Sequence, residues 1–217
     1  MDSSSWVRRS FDGAGLTQAP PGPHLAKWQA KYDIHVGTVL LCIDISASMD
    51  GNRLRLAKSG GAQFLREAAA GRYDSGLVLW DSRVVTYVQP EPSGNSALAA
   101  LRNAGSGGGT DIVPCLQLAN DVFGPMAGDR VLCLFSDGEF GNLDQARALA
   151  RKLCAMGVRI IVRGLGAGAA GALGELACPG STDDQQTIVD ETAIGTGIAS
   201  MAGNLTGITI RARDGDR

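Results

Sequence analysis

The sequence predicts an α/β domain: a three-layer sandwich with a mostly parallel central sheet, one antiparallel edge strand and helices on both faces. Three observations predict it. Short apolar, β-branched runs alternate along the chain with helix-period apolar stripes. The first of these runs, Thr38 to Ile43 (TVLLCI), is apolar almost throughout, as expected of a strand buried on both faces. Two runs, Gly76 to Trp80 and Val84 to Val88, are joined only by Asp81-Ser82-Arg83, a hairpin link in a chain whose other strands are separated by helices.

In chain order, residues 1–34 read as an N-terminal arm, because Pro20, Pro21, Gly22 and Pro23 break any element there and little periodicity surrounds them. The domain runs over 35–207. After the strand TVLLCI, apolar or small residues at Leu54, Ala57, Gly61, Phe64, Leu65 and Ala68 draw one stripe on a helix. The hairpin follows. Leu98 and Leu101 mark a short helix, and Ile112 to Val122 another, with Leu116, Ala119 and Val122 inward. Val131 to Phe135 (VLCLF) is a strand. Leu143, Ala146, Leu149, Ala150 and Leu153 make an amphipathic helix, and Val158 to Val162 the next strand. A short helix over Leu173 to Ala177, a short strand over Thr187 to Val189 and a glycine-interrupted closing helix over Ile194 to Leu205 complete the domain. Residues 208–217 are a tail, charged from Arg211 onward.

Composition excludes several classes. The 217 residues, 44% hydrophobic and 19% charged, suit one globular domain plus tails rather than a disordered chain. A net charge of -2 gives no general attraction to nucleic acid or to an anionic membrane. No run approaches the ~18 apolar residues of a membrane span, and the two arginines near the start have no apolar run behind them to make a secretory signal. Cys42, Cys115, Cys133, Cys154 and Cys178 are odd in number and widely spaced, which reads as free thiols in a reducing, cytoplasmic setting. His24 and His35 both lie near the start, away from the polar clusters, so no histidine-based site is expected.

Three segments place small oxygen-bearing side chains after an apolar strand or in a glycine-rich loop. They are Asp44-Ile45-Ser46-Ala47-Ser48, Gly107-Gly108-Gly109-Thr110-Asp111 and Ser136-Asp137-Gly138. In an open parallel sheet, ligands sit beyond the carboxyl ends of the strands, near the point where strand order reverses. All three segments are expected there. Hydroxyls and carboxylates without sulfur or imidazole form a hard donor set, suited to Mg²⁺, Mn²⁺ or Ca²⁺.

These residues resemble the metal-ion-dependent adhesion site of von Willebrand factor type A domains, of the prokaryotic intracellular kind, over about residues 36–207. The resemblance implies a Rossmann-like fold. It also implies that Ser46, Ser48 and Thr110 bind the metal directly, that Asp44 and Asp137 bind it directly or through water, and that Asp111 supports them from behind. Gly109 and Gly138 would let the backbone turn close to the ion. The family is mostly a binding fold rather than an enzyme fold, so the resemblance implies a partner protein whose Asp or Glu completes the metal shell. Prokaryotic relatives work beside AAA+ ATPases or in stress-response systems, and such a partner is expected here.

Rival readings are weaker. An enzyme with Asp44 as phosphoryl-accepting nucleophile would want a second acid two residues on, where Ser46 stands and cannot serve as general acid or base at neutral pH. An RNA-associated role lacks a basic and aromatic stripe. Gly166-x-Gly168-x-x-Gly171, with Asp190 further on, fits a dinucleotide fingerprint, but Cys178-Pro179-Gly180 leaves room for only a short helix after it. Trp80 is read as core, and Arg53, Arg55 and Lys58 as the exposed face of the first helix, with a second role beside the metal as the alternative.

Overall fold

The computed structural model describes residues 36–138 and 140–205. The N-terminal arm and the tail assigned above, with His24 and His35, lie outside the described residues. Six strands form one sheet: β1 (Gly37–Asp44), β2 (Tyr73–Trp80), β3 (Val84–Glu91), β4 (Asp129–Ser136), β5 (Val158–Leu165) and β6 (Gln185–Ile188). The spatial order is β3-β2-β1-β4-β5-β6. All pairs are parallel except β2 with β3. The predicted fold class is therefore the observed one. β3 lies at the edge, where Pro90 removes a donor without cost to the ladder.

Among the described residues there are six α-helices, five between strands and the last after β6: α1 (Asn52–Ala70), α2 (Asn95–Arg102), α3 (Val113–Phe123), α4 (Leu143–Ala155), α5 (Gly166–Gly174) and α6 (Ile194–Ser200). Alternation along β1 divides them into two layers, because successive side chains leave opposite faces of a strand. Val39, Leu41 and Ile43 pack with α1, α2 and α6 through Ala57, Phe64, Leu101, Ile194 and Ile198. Leu40 and Cys42 pack with α3, α4 and α5 through Leu116, Phe123, Ala150, Leu153 and Leu173. All eight residues of β1 are buried. Each fully buried Leu, Ile or Phe here contributes roughly 1.5–3 kcal/mol through its area removed from water. Trp80 belongs to the core, as expected.

Four expectations need correction. The short helix falls on Gly166–Gly174, not on Leu173 to Ala177. Its small residues let its backbone lie directly on β5: a Cβ added at Gly164 would stand 2.4 Å from Ala170 N. Packing there overrides the weak helix propensity of glycine. The closing helix is α-helical only to Ser200 and then tightens into a 3-10 turn, Met201–Asn204. Its glycines are contact points, since a Cβ on Gly60 of α1 would meet Gly195 O at 2.2 Å. In α3, Val122 packs against its layer but is only half-buried, and Cys115, Asn120 and Phe123 are fully inward with Leu116 and Ala119.

The fourth correction concerns the cysteines. Cys42, Cys115 and Cys133 are buried and free, but Cys154 and Cys178 form a disulfide with Cα atoms 5.6 Å apart. Cys154 lies in the last turn of α4 and Cys178 follows α5. Both flank the same hydrophobic layer, so a sequence separation of 24 closes to bonding distance.

Candidate functional site

β1 and β4 are neighbours although they are far apart in sequence, and strand order runs outward in opposite directions from them. Their carboxyl ends form the switch point at which open α/β sheets bind ligands. Asp44 is the last residue of β1, and its side chain is buried. Its Oδ1 accepts from Ser46 N at 2.7 Å, a local turn that swings the chain off the sheet. Its Oδ2 accepts from Ser136 Oγ at 2.6 Å, at the end of β4. Burial pushes the Asp44 carboxyl above its ordinary range, against the lowering effect of these hydrogen bonds.

Beyond Asp44 the chain makes a 3-10 turn, Ala47–Met49, anchored by the buried Met49. Ser46 and Ser48 hydroxyls lie 3.0 Å apart. Ser48 Oγ donates to Asp137 Oδ1 at 2.7 Å. A hydroxyl has one proton, so Ser46 is the donor toward Ser48, and the oxygen lone pairs of both serines remain as acceptors. Four of the predicted residues, Asp44, Ser46, Ser48 and Asp137, thus converge from two strand ends.

The third segment arrives by its backbone. Gly107 N donates to Ile45 O at 2.8 Å, and Ala47 N donates to Gly108 O at 3.2 Å. Gly108 takes a left-handed φ of 76°, and a Cβ there would meet Asp81 Oδ2 at 2.3 Å. Asp111 N donates to Asp81 O at 3.0 Å, which fixes the end of the loop to the hairpin. Thr110 lies half-buried between these anchors. The Asp111 carboxylate is engaged by Val113 N at 3.0 Å, at the start of α3, and by Asn142 Nδ2 at 3.3 Å. It holds the loop to its neighbours rather than joining the hydroxyl cluster.

Two residues outside the predicted set join it. Arg53 Nη1 donates to Asp137 Oδ2 at 2.6 Å and to Ser48 O at 3.3 Å, while its Nε reaches Glu191 Oε2 at 3.3 Å. Its periodicity placed it on an exposed face, and its side chain is indeed 37% exposed, whereas that of Asp137 is 0% exposed. The usable signal was its place in the first turn of a helix that opens just after Ser48. Helical side chains lean toward the helix N-terminus, so this one leans back over the cluster. Glu191 also accepts from Asn52 Nδ2 at 2.6 Å.

Among the described residues, no three or more His, Cys, Asp or Glu side chains cluster so as to hold a metal ion by themselves. The assembled donors are two carboxylates and a set of hydroxyls, which fits a hard cation that takes neutral oxygen ligands. The dinucleotide fingerprint does not form: its three glycines lie within α5 rather than in a turn before it. Asp190 Oδ1 is engaged by Thr192 N at 2.9 Å.

Residues 39–139 match the family model of the von Willebrand factor type A domain. The vWF domain of the type V pili tip protein Mfa5 from Porphyromonas gingivalis is similar in fold, with a TM-score of 0.68 and 14% identity over 85% of this chain and 99% of that one. So is the SpRpn10 VWA domain, with a TM-score of 0.62 and 12% identity over 78% and 95%. Proximal thread matrix protein 1 from the mussel byssus, in a structure with a zinc-occupied MIDAS motif, gives a TM-score of 0.63 and 17% identity over 78% of this chain and 46% of that one. This chain matches about half the length of that mussel protein. No curated protein matches the sequence significantly. Over residues 39–139 the chain is thus similar to the von Willebrand factor type A domain, and it shares the fold of these structures.

Proposed function

We propose that this type A domain is a docking module that binds an acidic side chain of a partner protein through a divalent cation. The observation that carries the reading is the convergence of Asp44, Ser46, Ser48 and Asp137 at the switch point of the sheet. With Thr110 on the adjoining loop, these residues would hold the ion. The zinc-occupied MIDAS of the mussel protein supports divalent binding on this fold. The hard oxygen donors here favour Mg²⁺, with Mn²⁺ or Ca²⁺ as alternatives. When bound, the cation supplies uncancelled positive charge and a coordination position for an external carboxylate.

The protein's own groups do the rest. Ser136 and Ser46 N fix the Asp44 carboxylate. The Ser46–Ser48–Asp137 chain fixes the hydroxyl oxygens. Arg53 orients Asp137 and adds positive charge beside the place where an acidic ligand would arrive. A binding role is favoured over phosphoryl transfer because Asp44 is buried with both carboxylate oxygens already accepting hydrogen bonds, which is poor placement for a nucleophile. The partner class includes a component of an AAA+ ATPase or stress-response system. No helix among the described residues is long and apolar enough to cross a membrane. The Cys154–Cys178 disulfide weighs against the reducing compartment that five free thiols implied.

Calorimetric titration with MgCl₂ and MnCl₂ tests the site. The expected result is stoichiometric binding that falls at least about tenfold in Asp137→Ala and in Ser48→Ala. Unchanged affinity in both variants, with folding intact by circular dichroism, overturns the reading.

A further inference from the structure

A groove of about 410 Å³ opens beside the hydroxyl cluster, lined by Asp50, Leu54, Arg55, Lys58, Gly105 and Ser106. We propose that it is a second subsite for the partner and takes a second carboxylate of an acidic peptide segment whose first carboxylate occupies the metal position. This rests on the docking function proposed above and specifies the partner further.

The three basic residues in the first turns of α1 are used differently. Arg53 is ion-paired to Asp137 and Glu191. Arg55 gives Nε and Nη2 to the neutral Asn52 Oδ1, at 3.1 and 2.6 Å, and Lys58 Nζ donates to the neutral carbonyl of Arg102 at 3.1 Å. Spaced three apart, Arg55 and Lys58 share one face of the helix. Both keep donors to spare and, among the described residues, neither forms an ion pair. The only carboxylate on the lining, Asp50, accepts from Ser106 Oγ at 2.7 Å. Two cations against one hydrogen-bonded anion leave the groove positive although the whole chain carries -2.

The groove's lining adjoins the site along the chain. Asp50 lies two residues beyond Ser48, and Ser106 precedes Gly107, which is bonded to Ile45. The opposite wall is low, because Gly105 has nothing within 4 Å of its missing Cβ. The buried Leu54 supplies an apolar floor for the stem of a Glu side chain. An extended peptide advances roughly 3.3 Å per residue, so the spacing of its two acids selects the fit.

The test uses the full chain in MgCl₂ and fluorescent peptides carrying one Glu, or a second Glu two, three or four residues away. One spacing is expected to bind about tenfold more tightly than the single-Glu peptide, from two exposed charge contacts. Arg55→Gln/Lys58→Gln should abolish that gain while leaving single-Glu binding and its EDTA sensitivity intact. No gain at any spacing, or a gain that survives in the double variant, overturns the second subsite and leaves the metal reading standing. Peptide binding indifferent to EDTA overturns both. An oligonucleotide of equal charge that binds more tightly than the best peptide overturns the assignment to a carboxylate partner.

Discussion

Glycine crowds two stretches of this chain, 105–109 and 164–171, and the structure folds them differently. The first remains a loop. Gly107 and Gly108 lend their backbones to the segment after β1, and Gly108 has both a left-handed φ and no Cβ to meet Asp81. The second ends β5 and folds into α5: Gly166 takes a left-handed φ of 76° where strand passes into helix, but at Gly164 it is smallness that is required, because β5 and the helix backbone touch there. Glycine content alone cannot distinguish these cases. What lies across from each backbone does.

The comparison can be broken from either side. The largest effect is expected at the second stretch. Removing the Cys154–Cys178 disulfide, by reduction or by Cys154→Ser/Cys178→Ser, opens a closed loop with sequence separation 24. Chain entropy sets the loss at about 3.5 kcal/mol in urea unfolding; an unchanged midpoint would show that α5 needs no staple. Gly164→Ala should cost about 3 kcal/mol, since the added methyl meets backbone that cannot yield. Gly108→Ala should cost about 1–2 kcal/mol through its φ of 76°. It should also weaken Mg²⁺ binding, because the same loop carries Thr110; stability loss with unaltered titration would separate the loop from the site. Gly171→Ala, with nothing within 4 Å of its missing Cβ, should instead stabilise by about 0.5–1 kcal/mol, as a glycine replaced within a helix. A loss there would mean that α5 is not helical in solution.

A pH series sharpens the picture at the site itself. Burial raises the Asp44 carboxyl above its usual range, and a cation competes with its proton. Mg²⁺ affinity should therefore begin to fall, as pH is lowered, at a higher pH than ordinary carboxylates would give. A profile flat down to the usual carboxylate range would remove Asp44 from the ligand set.

Much of this was readable beforehand for a local reason. The buried strand TVLLCI, the stripe from Leu54 to Ala68 and the hairpin at 81–83 each declare themselves through spacing within a few residues. So did the positions of Asp44, Ser46, Ser48 and Asp137, because strand ends in a parallel sheet share one edge. Arg53 was harder: exposure periodicity says which way a side chain leaves the helix, not what stands 84 residues away at its tip. The pairing of Cys154 with Cys178 is illegible for the same reason, since it depends on where α4 and α5 leave the two residues in space.

By itself, then, the order of residues determined the layered α/β architecture and the placing of hydroxyls and carboxylates at strand termini, because periodicity and strand ends are properties of neighbours along the chain. Only the tertiary structure decided that the second glycine run is a helix, that two cysteines bond, that Arg53 serves Asp137 while Arg55 and Lys58 face a groove, and that Asp111 ties down a loop. Each of those outcomes depends on which distant surfaces meet, and that is set by packing.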